Sequence, residues 1–353
     1  MSRYQDSSTW AEIKRQPQIW EDWWGELEPR LPELKAWINA QNVDEIWLSG
    51  AGTSAYIGDF IAAGLNATSP IPIRAVASTD LVSAPHQFLS AKRPLVVNFG
   101  RSGDSAESIG VLDLLDALAP DTPRLNITCN PEGALATREA PHQRIIALPE
   151  LSHDVGFAMT SSFSTMVLTA LALFDPHMPK DAFQTLTQGA RSGFAAMIAR
   201  GEAMETPTRM VFLGSGLLKF AAREASLKIL ELTSGDIPVI WDSSMGFRHG
   251  PKSFVKDGTH IVMMTSSDPD IARYDVDLVT EIRQQFDGIP ITELTGTSLP
   301  DRWGGLLQIL PVQVMSVILS NRLNYAVDNP FEGQGTLTRV VSGVKLYAAN
   351  PKT

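Results

Sequence analysis

Along most of its length this chain alternates short apolar runs, each ending on small residues, with longer segments of helical periodicity. Glu45–Ser49, Ile71–Val76, Pro94–Phe99, Arg124–Cys129 and Arg144–Leu148 form a first set of such runs. Near-continuous apolar strands that alternate with helices belong in a parallel sheet covered on both faces, because each parallel connection is a crossover that lays a helix on the sheet. The pattern pauses over the helical stretches Ala158–Phe174 and Lys180–Arg200 and then restarts. Arg209–Leu213, Ile237–Trp241, His260–Thr265 and Ile291–Leu294 read as strands, and Pro311–Val327 as a helix. Leu48-Ser49-Gly50-Ala51-Gly52 and Leu213-Gly214-Ser215-Gly216 stand at matching points and suggest an internal duplication. The expected fold is α/β: two tandem units, each a mostly parallel sheet flanked by helices, with a helical N-terminal extension.

The expected division is N-terminal helices over 1–43, a first unit over 44–175, a second over 205–330, and a tail over 331–353 that folds back across the body. In the extension, Thr9 and Glu12 have capping-box spacing. Pro17 is expected to interrupt the first helix. A second helix would follow through Trp20, Trp23, Trp24 and Leu27 and cover a core or meet another subunit.

Composition narrows the function classes. A net charge of -10 argues against a nucleic-acid binder, which needs a basic face. It leaves a phosphorylated small molecule open, because backbone N–H groups at a helix N-terminus bind phosphate on an acidic protein. The single cysteine, Cys129, excludes an intramolecular disulfide and a cysteine-based zinc cluster. No metal or other cofactor is expected, since His86, His142, His153, His177 and His260 show no ligand spacing. No run of eighteen apolar residues suggests a membrane span, and the first residues lack the apolar core of a secretory signal, so the expected location is the cytoplasm.

Four segments carry chemistry. Gly50-Ala51-Gly52-Thr53-Ser54 lies between a strand and a helix, where glycines admit a ligand and the helix N-terminus offers unpaired N–H groups. Only part of a dinucleotide fingerprint is present there. Gly100-Arg101-Ser102-Gly103-Asp104-Ser105 follows another strand and opens another helix; its hydroxyls and Arg101 suit a phosphate dianion. In Leu217–Ser234, Glu224, Lys228 and Glu231 fall on one stripe between apolar flanks, either facing a polar cavity or forming a surface ion-pair set. A carboxylate in a cavity can serve as a general base. His249 stands in a Gly/Pro-bounded loop with Arg248 and Lys252, company suited to an anionic sugar. Asn130 and Ser161 open turns that are individually weak additions to a pocket.

Taken in order, strand-GAGTS-helix, GRSGDSAES, CNPEGALA, GFAMTSS, REASLKILEL and GFRHGPKS resemble the sugar isomerase (SIS) family with two tandem SIS domains. Within it they are most similar to the galactosamine-6-phosphate deaminase/isomerase group, also described as tagatose-6-phosphate ketose/aldose isomerases. The resemblance implies that Gly52, Thr53, Ser54, Arg101, Ser102 and Ser105 hold the phosphate. It makes Glu231 the proton-transfer carboxylate, with Glu224 and Lys228 beside it. Asn130, Ser161, Lys228 and Arg339 would touch the sugar. It gives His249 a part in ring opening from an adjacent subunit, hence a homodimer or larger assembly with shared sites. Arg339 stands where the related synthase has a lysine, and a protonated arginine forms no Schiff base. In the second unit Ser266-Ser267-Asp268-Pro269-Asp270 sets acidic residues where phosphate would lie, so only the first unit should bind it.

The expected activity is conversion of galactosamine-6-phosphate to tagatose-6-phosphate and ammonia. Glucosamine-6-phosphate deamination to fructose-6-phosphate, plain aldose–ketose isomerisation and a non-catalytic sugar-phosphate sensor stay open at this point.

Overall fold

The computed structural model describes residues 3–89, 92–335, 337–341 and 343–348. They fall into two compact units. One holds the described residues of Ile19–Asp154, Ser161–Met178 and Leu337–Thr353; the other holds those of Met1–Gln18, Val155–Thr160 and Pro179–Thr336.

The first of these is built on a five-stranded sheet of β1 (Glu45–Ser49), β2 (Ile73–Ala75), β3 (Pro94–Gly100), β4 (Arg124–Thr128) and β5 (Gln143–Ala147). The order is β2-β1-β3-β4-β5, every pair parallel, with Ser49 opposite Asn98 in the β1–β3 register. Every residue of β1, β3 and β4 is buried, which is why they read as unbroken runs. The two buried amides in those runs are satisfied: Asn98 Nδ2 donates to Asn126 Oδ1 at 2.8 Å, and Asn126 Nδ2 to the Leu135 carbonyl at 2.7 Å. The second strand is shorter than the expected Ile71–Val76, since Pro70 and Pro72 lack the N–H that a ladder needs. The helix Ser161–Phe174 is buried throughout. It receives two indoles from the N-terminal segment: Trp20 Nε1 donates to Ser164 Oγ at 2.9 Å and Trp23 Nε1 to Thr169 Oγ1 at 2.8 Å. Both tryptophans are buried within the chain and are core, so they supply no contact area for a second subunit.

The other unit is built on β6 (Arg209–Gly214), β7 (Val239–Asp242), β8 (Thr259–Thr265) and β9 (Ile291–Thr295), all parallel in the order β7-β6-β8-β9. Val211, Leu213, Ile261 and Met263 of its two central strands pack with Phe247, Leu278 and Ile282. Its last helix runs Leu306–Arg322, not Pro311–Val327. Pro311 lies inside the helix instead of opening it. The C-terminus is fixed by Asn324 in the left-handed region at φ 63°, with Asn324 N–H donating to the Asn321 carbonyl and Tyr325 N–H to the Ser320 carbonyl. Asp301–Arg322 is the one helical stretch among the described residues long and apolar enough by composition to cross a membrane, and its most apolar window is wholly buried in the protein. Two of its glutamines are bonded inside: Gln16 Nε2 donates to Gln313 Oε1 at 2.7 Å, and Gln308 Nε2 to the Thr265 carbonyl at 3.1 Å.

Two expectations for the N-terminal segment fail for local reasons. The helix Ser8–Leu27 passes through Pro17 without a break. Pro17 removes the N–H that would reach the Ile13 carbonyl, and Gln16 Nε2 takes that carbonyl instead at 3.3 Å. Thr9 and Glu12 form no capping box. Ser7 Oγ accepts from Trp10 N–H at 3.1 Å, and the Asp328 carboxylate accepts from Ser8 N–H, Thr9 N–H and Thr9 Oγ1 at 2.9, 2.7 and 2.8 Å. Glu12 Oε1 turns to Val155 N–H at 2.6 Å and Gly156 N–H at 3.3 Å. A side chain at Gly156 would run into Thr9 Oγ1, so the glycine of the Gly156–Ser162 motif is demanded by this helix. Asp328→Ala is expected to lower stability by about 1 kcal/mol, the usual worth of an N-cap, read as a lower urea midpoint.

Candidate active site

The loops after β1 and β3 leave the carboxyl ends of two paired parallel strands, where open α/β sheets bind ligands. In the first, Gly52 has φ 56° and precedes the helix Thr53–Leu65. Gly50 admits no side chain, since a Cβ there would lie 2.5 Å from Ser54 Cβ. The turn is thus held tight, with Thr53 and Ser54 at the helix N-terminus, where N–H groups and the helix dipole favour an anion.

In the second loop Ser102 Oγ accepts from Asp104 N–H at 3.2 Å. Ser105 caps the helix Ala106–Leu118, its Oγ accepting from Ser108 N–H at 3.2 Å and lying 2.9 Å from Ser108 Oγ. Asn130 braces this loop: its Nδ2 donates to the Ser102 carbonyl at 3.0 Å and to Asp104 Oδ2 at 3.3 Å. Asp104 Oδ1 also accepts from Ala134 N–H at 2.8 Å. Asn130 and the serine loop therefore act as one piece.

Arg101, Ser161 and Arg339 are joined through a residue that the sequence reading missed. Arg101 Nη2 donates to the Arg339 carbonyl at 3.0 Å, and the Arg339 guanidinium donates to the Asp154 carbonyl. The Asp154 carboxylate accepts from Ser161 N–H at 2.9 Å, from Ser162 N–H at 3.0 Å and from Ser162 Oγ. Asp154 is wholly buried and opens that helix from seven residues upstream of Ser161, too far for any capping pattern to reveal it. Beside it, burial pushes the Cys129 thiol up to about 12, so it stays protonated and unreactive at neutral pH. Burial first, then the Arg339 and Arg101 charges, hold His153 below the ordinary histidine range.

The helix Leu218–Leu232 decides between the two readings of its charged stripe. The Glu224 side chain is 1% exposed, Lys228 0% and Glu231 21%. This is a buried set with one partly exposed end, not a surface ladder. Lys228 Nζ lies 3.3 Å from Glu224 Oε1 and 2.7 Å from Glu231 Oε2. Burial works against the ammonium, but the two carboxylates outweigh it and hold Lys228 above the ordinary lysine value. Glu231 is thereby fixed through Oε2. Its Oε1 accepts no hydrogen bond among the described residues. Leu218, Ala222, Ala225 and Ile229 bury one flank completely.

His249 follows the short helix Ser244–Phe247, with Gly250 at φ 119° after it. It is exposed. Arg248 and Lys252, expected as company for an anionic sugar, are bonded to one carboxylate. Arg248 Nε donates to Glu281 Oε2 at 2.9 Å, and Lys252 Nζ to Glu281 Oε1. The remaining loops at the carboxyl end of this sheet turn inward to carboxylates. Asp275 is buried, and its Oδ1 accepts from Ser215 Oγ at 2.6 Å and from Ser244 Oγ, its Oδ2 from Ser266 N–H at 3.1 Å. Ser267 N–H donates to Asp301 Oδ1 at 2.7 Å, and Asp268 caps the helix Pro269–Gln285. Among the described residues no group of three or more His, Cys, Asp or Glu side chains is arranged to hold a metal ion.

Residues 41–175 match the SIS domain family. The chain is 37% identical to the D-galactosamine-6-phosphate deaminase AgaS of Shewanella sp. (strain ANA-3), covering 98% of this chain and 93% of that protein. It is 36% identical to the protein of the same name from Escherichia coli, over 97% of this chain and 96% of that one. The crystal structure of tagatose-6-phosphate ketose/aldose isomerase from Escherichia coli superposes with a TM-score of 0.88 at 31% identity, covering 98% of both chains.

Lys228→Met would leave the buried Glu224 carboxylate without its ammonium, and is expected to cost about 3–5 kcal/mol in chemical denaturation. Because the folded Lys228 value lies above the ordinary 10.5, its contribution is fully present below that pH and is lost as pH rises through the folded value. The stability gap between the two proteins should therefore narrow in strong alkali, as pH rises through the folded Lys228 value.

Proposed function

The chain belongs to the SIS-domain family of the AgaS D-galactosamine-6-phosphate deaminases, and from that membership we propose that it converts galactosamine-6-phosphate to tagatose-6-phosphate and ammonia. The observation that carries the reading is Glu231: a carboxylate bonded through one oxygen to a buried ammonium, with its side chain partly exposed.

In the proposed reaction the loops bearing Gly52, Thr53, Ser54, Ser102 and Ser105 hold the phosphate, with Arg101 adding charge. His249 assists opening of the sugar ring. Glu231 then takes the C2 proton. The electron pair left behind forms the C1–C2 double bond while the aldehyde oxygen takes a proton and becomes a hydroxyl. Glu231 returns its proton to C1, and the amine nitrogen, losing one proton, forms the C2 imine. Water adds to C2 and ammonia leaves, giving the ketose. Glu224, buried on the far side of Lys228, supports this step by holding the ammonium in place or by ordering a water for the hydrolysis. The second sheet takes no phosphate in this reading, because Asp275 and Asp301 already consume the donors of its loops.

Plain isomerisation is the second reading, and the name of the Escherichia coli structure favours it. Incubating the purified protein with galactosamine-6-phosphate and glucosamine-6-phosphate, and assaying ammonia and ketose separately, tests both. Ketose with stoichiometric ammonia from the galacto substrate supports deamination. No ammonia from either aminosugar refutes it. Glu231→Gln keeps the shape and removes the basicity, and is expected to reduce ammonia release and C2 hydrogen exchange with D₂O together by about 10²–10⁴-fold. Exchange at the wild-type rate would make Glu231 the wrong base.

The exposed His249 is proposed to serve the site of an adjacent subunit in a homodimer or larger assembly. Mixing Glu231→Gln with His249→Ala under conditions of subunit exchange should then restore activity that neither variant has alone. No recovery despite demonstrated exchange would refute shared sites.

A further inference from the structure

We propose that the helix Pro269–Gln285 positions His249, with Glu281 as the positioning residue. The inference rests on the reading that His249 takes part in catalysis. His249 lies in a loop with glycines at 246 and 250, and Gly250 adopts a conformation that side-chain-bearing residues rarely take. Nothing intrinsic to such a backbone holds an exposed ring in one place. The loop is instead tied to a single helix at both sides of the histidine. Glu281 receives Arg248 on one oxygen and Lys252 on the other, so one carboxylate grips the residues one before and three after His249. Six residues earlier on the same helix, Asp275 receives Ser244 Oγ, at the start of the short helix that leads into the loop.

The charges support the grip. The Lys252 hydrogen bond is the main influence that holds Glu281 below the ordinary carboxylate range, so the carboxylate stays ionised at neutral pH. Glu281 is 24% exposed and Lys252 16%, which screens the pair less than an open surface bridge. Arg248 and Lys252 thus act on the reaction by fixing where the imidazole stands. A misplacement of about 1 Å is enough to cost up to 10²-fold in rate.

The experiment compares wild type, His249→Ala, Glu281→Ala and the double variant in ammonia release from galactosamine-6-phosphate, with thermal melting as a check on folding. Glu281→Ala is expected to lower kcat on the order of 10-fold with KM little changed. In the His249→Ala background the same change should cost nothing more, because the group it positions is already gone. The double variant Arg248→Gln, Lys252→Gln should reproduce the loss from the loop side, and decides the matter if Glu281→Ala does not fold. Wild-type kcat in a folded Glu281→Ala or Arg248→Gln, Lys252→Gln protein, with His249→Ala impaired, overturns the clamp alone. So does a Glu281 effect that multiplies with that of His249→Ala. Wild-type kcat in His249→Ala overturns the reading of His249 beneath it.

Discussion

The buried ammonium of Lys228 is the interaction on which the charged stripe of the helix Leu218–Leu232 depends. A charge taken out of water costs several kcal/mol unless it is paired, so its presence at zero exposure dictates what stands around it. Glu224 is drawn into the interior one turn before it, and Glu231, three residues after it, is held with its side chain partly exposed. The apolar flank of Leu218, Ala222, Ala225 and Ile229 sets the helix rotation that makes this burial unavoidable. The result is a carboxylate with a fixed direction, the kind of preorganisation that proton transfer requires.

The two sheets share one framework and differ in what their loops do with hydrogen-bond donors. After β1 and β3 the donors are helix N-termini and serine hydroxyls, organised by Asp104, Asn130 and Ser108 around the loop backbone. After β6 and β8 the matching positions are spent on Asp275 and Asp301, carboxylates supplied by the chain itself. Two similar α/β units thereby carry different loops, and in the second the donors of those loops are taken by internal carboxylates. Such a difference costs little in fold, because the loops lie outside the strands that carry the core.

The central strands β1, β3 and β4 were legible because they are buried on both faces and so are mostly apolar. Prolines misled the reading in both directions. Pro17 and Pro311 sit inside helices, the first because a neighbouring glutamine takes the orphaned carbonyl, whereas Pro70 and Pro72 did shorten β2. Caps were missed where the partner is far away in sequence: Asp328 closes a helix that begins at Ser8, and no local pattern announces it. The tryptophans left core and subunit contact open, and only the hydroxyls of Ser164 and Thr169 beneath them decide for core.

By itself the sequence determined the α/β class, the repeat of its two sheets, the strand-to-helix turns with their glycines and serines, and the spacing that lines up Glu224, Lys228 and Glu231. These are local properties, set by periodicity and by what small residues allow. The tertiary structure decided which charges are used up. Equal spacing fits a solvated ion-pair ladder or a buried triad, and burial chose the triad. Arg248 and Lys252 look available in the chain and are gripped by Glu281; Arg339 looks like a sugar contact and is held by Asp154. The pairings of Arg248, Lys252 and Arg339 turn on partners distant in sequence, because the cost of leaving a charge unpaired depends on the neighbours that folding brings to it.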